Sequence, residues 1–84
     1  MNAILLPQPA RIDWFRVIVG LEANGWSGQR IGAACGRSEG WVWNLKNTPN
    51  SEPRFDDGLQ LLQLWAREAG RAVSDAPTVN HYGT

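Results

Sequence analysis

The sequence has few of the residues that build disulfide frameworks, metal sites and catalytic centres. It contains one cysteine and one histidine, which excludes an internal disulfide and a zinc site built on cysteines. Cys35 is explained as a small buried apolar residue, and His81 stands alone near the C-terminus, without partners for catalysis or metal binding. We therefore expect no enzyme activity, no metal, no other cofactor and a reducing compartment.

The sequence also lacks a surplus of charge and a long apolar run. Its formal net charge is zero and its pI is near 6.5, whereas nucleic-acid-binding proteins are more often basic. No run approaches the ~20 apolar residues that a membrane span needs. The apolar residues 1–7 are too few for a signal peptide and lack a basic start. These absences predict a cytoplasmic protein with no membrane partner.

The residues that are abundant predict one small core. Hydrophobic residues make up 43% of the 84 residues, and five of them are tryptophans. A chain of this size buries only about 60% of the surface that its unfolded form exposes. One domain is therefore expected, with some tryptophans in the core and others free for contacts.

Three segments are predicted along the chain. Residues 1–11 form an N-terminal arm, because Pro7 and Pro9 prevent a regular helix there. The apolar residues 4–6 pack either on the domain's own core or on a partner. Residues 12–70 form a helical domain, and residues 71–84 lack periodicity and are expected to be a flexible tail.

Periodicity and capping residues define the outer helices of this domain. Asp13 is a good N-cap for a first helix that runs to about Asn24. A last helix, about 57–69, is capped by Asp56, and its apolar residues cover most of its circumference. Such a helix has more apolar surface than one small core can bury. We therefore expect a homodimer contact through the last helix, with the N-terminal arm as a second possible contact. The helix residues predicted for this contact are Leu61, Leu64 and Trp65.

Between these helices lies the stretch on which the functional interpretation depends, residues 26–47. Ser27 caps a helix of about residues 28–35, and Ser38 caps another of about residues 39–47. Gly36 supplies the left-handed residue of the turn between them, and Gly32 is small enough to let the two helices cross closely. The predicted buried residues of the two helices are Ile31, Cys35, Val42 and Leu45.

The spacing of these residues resembles the helix-turn-helix of lambda-repressor-like (Cro-like) DNA-binding domains of phages and prophages. The matching pattern is Ser27-x-x-x-Ile31-Gly32-x-x-Cys35-Gly36-x-Ser38-x-x-x-Val42-x-x-Leu45. The following Glu52-Pro53-Arg54-Phe55-x-x-Gly58-x-x-Leu61-Leu62 is also similar, so the resemblance covers roughly residues 12–69. It implies an all-α bundle of four or five helices that binds DNA through helix three. It also implies a transcriptional repressor that occupies a short palindromic operator as a homodimer.

This chain departs from the family pattern at several positions. Gly32 stands where the family usually has alanine, Arg37 where it usually has an apolar residue, and Gly28 where glutamine is frequent. On the outer face of helix three this chain has Glu39, Gly40 and Trp43, at positions where the family more commonly has polar residues.

The candidate DNA contacts are the polar or outward residues of the two helices and of the loop that follows. Asn44 can pair with adenine and Glu39 can accept from a cytosine amino group, although both are also ordinary solvated helix residues. Cations and amides around them are candidates for phosphate contacts. The full set is Ser27, Gln29, Arg30, Ser38, Glu39, Gly40, Trp43, Asn44, Lys46, Asn47 and Arg54.

Trp43 leaves a second function open. It points outward from helix three and can pack on a thymine methyl group, along the sugar–phosphate wall, or on another protein. With zero net charge, this favours as alternative an antirepressor-like protein-interaction module on the same fold. A nucleoid-associated, non-specific DNA binder is disfavoured by the charge balance. No small-molecule ligand is indicated.

Overall fold

A computed structural model of the protein describes residues 11–79, which contain four α-helices and a two-stranded antiparallel ladder. The elements in chain order are β1 Arg11–Ile12, α1 Trp14–Ala23, α2 Gly28–Ala34, α3 Glu39–Asn47, α4 Phe55–Ala69, a 3₁₀ helix Val73–Asp75, and β2 Thr78–Val79. The predicted, mainly helical fold is confirmed. The predictions for residues 4–6 and for His81 lie outside the described residues.

The first three helices begin where their capping residues predict. The side-chain oxygens of Asp13, Ser27 and Ser38 each accept a hydrogen bond of 3.1 Å from the backbone N–H three residues later. Each cap satisfies one of the N–H groups that have no partner inside the helix. Gly25 and Gly36 follow α1 and α2 with φ of 93° and 70°, a conformation that glycine adopts at little cost.

The last helix begins two residues earlier than predicted. It starts at Phe55, and Arg54 at the N-cap position makes no side-chain capping bond. Asp56, predicted as the cap, lies within the first turn instead. Gly58, in the same turn, packs closely against Pro53 and Trp14. A β-carbon there would be 3.0 Å from Pro53 Cγ and 3.2 Å from Trp14 Cη2.

A single core lies between the helices. Val17, Ile18, Leu21, Ile31 and Leu61 are completely inaccessible to solvent. The predicted buried residues of the central stretch belong to the same cluster, and Trp14, Trp26 and Trp41 pack against it from its edges. The burial predicted for α2 and α3 from spacing alone is therefore confirmed.

The residues predicted for the dimer contact lie in this core. Leu61, Leu64 and Trp65 are 0%, 4% and 8% exposed, because α1 and α2 pack against their side of α4. This corrects the prediction, since the three side chains are not available to a second copy. The other side of α4 exposes different apolar residues, Phe55 and Leu59.

The chain beyond α4 is structured as far as residue 79, which corrects the prediction of a tail starting at residue 71. Residues 78–79 pair with residues 11–12 in register Arg11↔Val79 and Ile12↔Thr78. Asp13 N donates to Pro77 O at 2.8 Å, and Ala76 is buried in the core. Arg11, assigned to the arm, therefore belongs to the folded unit. The sequence lacked a signal for this pairing because strands of two residues have no measurable periodicity.

None of the helices formed by residues 11–79 combines the length and the apolar character required to cross a membrane.

Candidate functional site

Two glycines fix how α2 and α3 meet. A β-carbon on Gly32 would lie 2.7 Å from Ser38 O and 2.8 Å from Arg37 O, closer than any side chain tolerates. Arg37 N donates to Gly32 O at 2.7 Å, and Gly36 between them takes φ of 70°. The short turn and the small residue together let α3 start directly against α2. The prediction made for both glycines is confirmed.

Few side chains of α3 anchor this helix in the core. Val42 and Leu45 are 2% and 6% exposed, and Trp41 is partly buried against the core. Lys46 is also partly buried, and the exposed residues of the helix are Glu39, Gly40, Trp43, Asn44 and Asn47. This set, called the outer face of α3 below, contains five of the predicted contact residues on one helix.

Trp43 dominates the outer face by size. It is 63% exposed, whereas the other four tryptophans are buried or partly buried. Asn47 Nδ2 donates to Trp43 O at 3.0 Å, so part of the Asn47 amide is used inside the helix. Asn44 is exposed, and its backbone carbonyl, not its side chain, accepts a hydrogen bond from Thr48 N at 2.9 Å. The amide of Asn44 is therefore presented to solvent beside Trp43.

The start of α2 carries three more of the predicted residues. Ser27, Gln29 and Arg30 are exposed, and Ser27 is occupied as the cap. The Arg30 guanidinium stacks on Trp26, with 4.2 Å from Cζ to the ring centroid. This cation–π contact orients Arg30 without neutralising it.

Lys46 is not a free cation. Its Nζ donates to both carboxylate oxygens of Glu22, at 2.9 and 3.2 Å. The pair joins α1 to α3, and the Lys46 side chain is only 26% exposed. Lys46, predicted to bind phosphate, is therefore already paired. No local pattern could identify Glu22 as the partner, because the two residues are 24 positions apart in the chain.

A second ion pair involves Arg37, the turn residue at a position where the family usually has an apolar residue. Arg37 Nη2 bonds to Asp57 Oδ2, and the aspartate is buried in the first turn of α4. The neighbouring Cys35 is buried as predicted. Burial, and to a smaller extent the Asp57 carboxylate, raise the pKa of its thiol above the ordinary value of 9.0.

The loop after α3 is held from both sides. Arg11 contacts Glu52 at 2.9 Å and Asn50 Oδ1 at 3.0 Å. Asn50 has φ of 63°, a left-handed conformation that asparagine tolerates better than most residues. Ser51 Oγ donates to the carbonyl of Leu45 at 3.4 Å. The loop that carries the predicted phosphate contacts is thus tied to β1 and to the end of α3.

Ion pairing leaves little free positive charge. All eight Lys and Arg residues lie within residues 11–79, and five of them pair with a carboxylate. The described structure gives no such partner to Arg30, Arg54 and Arg71. Of the predicted phosphate contacts Arg30, Lys46 and Arg54, only Lys46 is therefore paired with a carboxylate in the described structure.

Two clefts adjoin these elements. One, of about 110 Å³, is lined by Glu22, Glu39, Trp43 and Lys46, among other residues. The other, of about 260 Å³, lies between β1, the start of α1 and the loop after α3. Within residues 11–79 no three His, Cys, Asp or Glu side chains are grouped so that they could hold a metal ion.

Comparisons with family models, with curated proteins and with solved structures found no match for this chain.

Proposed function

We propose that α2 and α3 form a helix-turn-helix of the lambda-repressor-like kind, and that the protein is a sequence-specific transcriptional repressor of phage or prophage type. The observation that carries the proposal is the small buried footprint of α3. Val42 and Leu45 anchor the helix, whereas its outer face is exposed. The major groove of B-DNA is about 12 Å wide and admits an α-helix presented in this way.

Base recognition is assigned to the outer face of α3. The exposed amide of Asn44 can donate to adenine N7 and accept from its N6 amino group. Glu39 can accept from a cytosine amino group at the start of the helix. Gly40, without a side chain, lets the backbone come close to the base edges, and Trp43 fits against a thymine methyl group.

Phosphate binding is assigned chiefly to Arg30 and Arg54. Both are exposed and have no carboxylate partner in the described structure. Lys46 contributes less, because a phosphate must compete with Glu22 for its ammonium group. A neutral protein with two such contacts should bind its site with moderate affinity and bind non-specific DNA weakly. Occupation of a palindromic operator by a homodimer doubles the number of contacts.

The test is a gel shift with DNA that flanks the protein's own gene, followed by footprinting of any bound fragment. Wild type should protect one short site, and affinity should fall as salt rises. Asn44→Ala should weaken that site by about tenfold or more, since one bidentate base contact contributes roughly 1–3 kcal/mol. Ser74→Ala, an exposed residue of the 3₁₀ helix, serves as the matched control. If no specific, salt-sensitive site exists in this region, the proposal fails.

A second candidate is favoured by Trp43 and by the pairing of Lys46 with Glu22. An exposed tryptophan next to the acidic Glu39 suits a protein interface better than a phosphate backbone. On this alternative the protein is an antirepressor-like partner of another regulator. Pull-down with wild type and Trp43→Ala separates the two. Loss of a protein partner with DNA affinity unchanged supports the alternative, and loss of DNA affinity alone excludes it.

A further inference from the structure

The smaller of the two clefts borders the outer face of α3, and it is called the α3 cleft below. It is lined by Glu22, Gly28, Glu39, Val42, Trp43 and Lys46. Its volume is about 110 Å³, whereas pockets for drug-sized molecules have roughly 300 Å³ or more. The α3 cleft therefore has room for the end of one side chain and not for a larger organic ligand.

The α3 cleft carries one negative charge that the described structure leaves uncompensated. Lys46 Nζ donates to both carboxylate oxygens of Glu22, at 2.9 and 3.2 Å, so these two charges neutralise each other. Glu39 forms no ion pair among residues 11–79. Its carboxylate lies close to the backbone of Gly28, since a β-carbon there would be 3.7 Å from Glu39 Oε2. A guest that complements this cleft is therefore a cation.

An aromatic side chain stands beside this charge. Trp43 is 63% exposed and follows Glu39 by four residues, so the two side chains are neighbours on one face of α3. Tryptophan is the aromatic residue that attracts cations most strongly. The protein already contains a contact of this type, because the Arg30 guanidinium lies 4.2 Å from the centroid of the Trp26 ring. The free carboxylate and the exposed indole together determine which cation fits best.

We propose that the α3 cleft binds an arginine side chain of a partner protein. The guanidinium group is planar, so it can stack on Trp43 while two of its N–H groups donate to the carboxylate of Glu39. The lysine ammonium is a more strongly hydrated point charge without a planar face, so it fits the same two groups less well. The long aliphatic part of arginine lets the guanidinium reach into the cleft from a neighbouring surface.

Arginine binding in the α3 cleft does not depend on DNA binding, but it would interfere with it. A bound arginine covers Glu39 and Trp43, two of the residues assigned above to base recognition. A partner that inserts an arginine there therefore competes with DNA for the outer face of α3. On the second candidate function, the partner is specified as a protein with an exposed arginine. Because arginine binding is measured without DNA, its failure is distinguishable from failure of the proposed function.

The test is an NMR titration of the full chain, isotope-labelled and at constant ionic strength. The probe is N-acetyl-arginine amide at up to about 50 mM, which presents the side chain as a protein does. Wild type should show saturable shifts of the Trp43 indole N–H and of the Gly28 backbone N–H, with a dissociation constant on the order of 10 mM. N-acetyl-citrulline amide has the same shape without the charge, and it should bind at least about tenfold more weakly.

Three variants separate the two binding groups from the rest of the surface. Glu39→Gln removes the charge and keeps the shape, so it should weaken binding by about tenfold. Trp43→Leu, followed at the Gly28 N–H, should weaken binding by about threefold, the effect of one exposed cation–π contact. Asp56→Asn is the matched control, because it removes an exposed carboxylate of α4 that does not line the cleft, and it should leave binding unchanged.

All three substitutions change exposed residues, so circular dichroism should show wild-type helicity and melting, which separates lost binding from lost folding. The proposal is overturned if wild type shows no saturable shift, if the citrulline probe binds equally well, or if Glu39→Gln has no more effect than Asp56→Asn. Tighter binding of N-acetyl-lysine amide would overturn the preference for arginine. Tenfold tighter binding of free arginine, with its charged termini, would show a site for the amino acid and overturn the assignment to a protein partner.

Discussion

Arg37 Nη2 lies 2.5 Å from Asp57 Oδ2, and this ion pair joins the turn between α2 and α3 to the first turn of α4. The turn therefore has a fixed position relative to the core. The two partners differ in exposure, since the Arg37 side chain is 37% exposed and the Asp57 side chain 11%. Removing one partner should not have the same effect as removing the other.

Loss of the arginine should destabilise the fold more than loss of the aspartate. Arg37→Met leaves a buried carboxylate without a counter-charge and should cost about 2–3 kcal/mol, below the value for a fully buried pair. Asp57→Asn leaves a guanidinium that water can reach and should cost about 1 kcal/mol. Urea unfolding of both variants and of the double variant measures the difference and the coupling. If both substitutions lower the free energy of unfolding equally, the difference in burial between the two partners does not determine the effect of losing each one.

Gly32 and Gly40 should respond in opposite ways to alanine. At Gly32 the added β-carbon meets backbone oxygens at 2.7 and 2.8 Å, so Gly32→Ala should cost about 1–3 kcal/mol. At Gly40 the nearest atom is Ser38 Oγ at 3.7 Å, so Gly40→Ala should stabilise by about 0.5–1 kcal/mol through helix propensity. Thermal melts of the two variants test this contrast. A tolerated Gly32→Ala would mean that α2 and α3 can separate without loss.

The thiol of Cys35 should be unreactive in the native protein and should make stability depend on alkaline pH. Its folded pKa is raised, so the folded state holds the proton in a range where the unfolded state has released it. This contribution is complete below the ordinary pKa of 9.0 and is lost as pH rises above it toward the folded value.

Two measurements check the behaviour of Cys35. Ellman's reagent at neutral pH should label the thiol only at the rate of unfolding. Stability of wild type should fall more steeply above about pH 9 than that of Cys35→Ala, which lacks the titrating group but keeps the other residues. Rapid labelling of the folded protein, or identical pH profiles for both proteins, would contradict the burial of Cys35.

The salt dependence of DNA binding should rank the cations. If the proposed function holds, Arg30→Gln should reduce the slope of log K against log salt by about 0.9, the value for one phosphate contact. Arg71→Gln should leave it unchanged, since this exposed arginine follows α4 and is not among the predicted contacts. Lys46→Gln should have a smaller effect than Arg30→Gln because Glu22 already binds the ammonium. A larger effect of Lys46→Gln would show that DNA displaces Glu22.

Local chemistry in the sequence was enough to place the starts of the first three helices. Asp13, Ser27 and Ser38 act through atoms only three residues away, so their capping roles are visible in the sequence. The same is true of the inward spacing of Val42 and Leu45 and of the outward direction of Trp43, which follow from the helical repeat. These local features define the outer face of α3, and with it the candidate site.

Contacts between residues far apart in the chain were decided only by the tertiary structure. Glu22 neutralises Lys46, Asp57 binds Arg37, and β1 pairs with β2, and in each case the partners come together only after the helices pack. The same packing decided which side of α4 is covered, since an apolar circumference does not reveal which part the core will take. Spacing along one helix is fixed by covalent geometry, whereas the choice of partner depends on how all four helices fill one core.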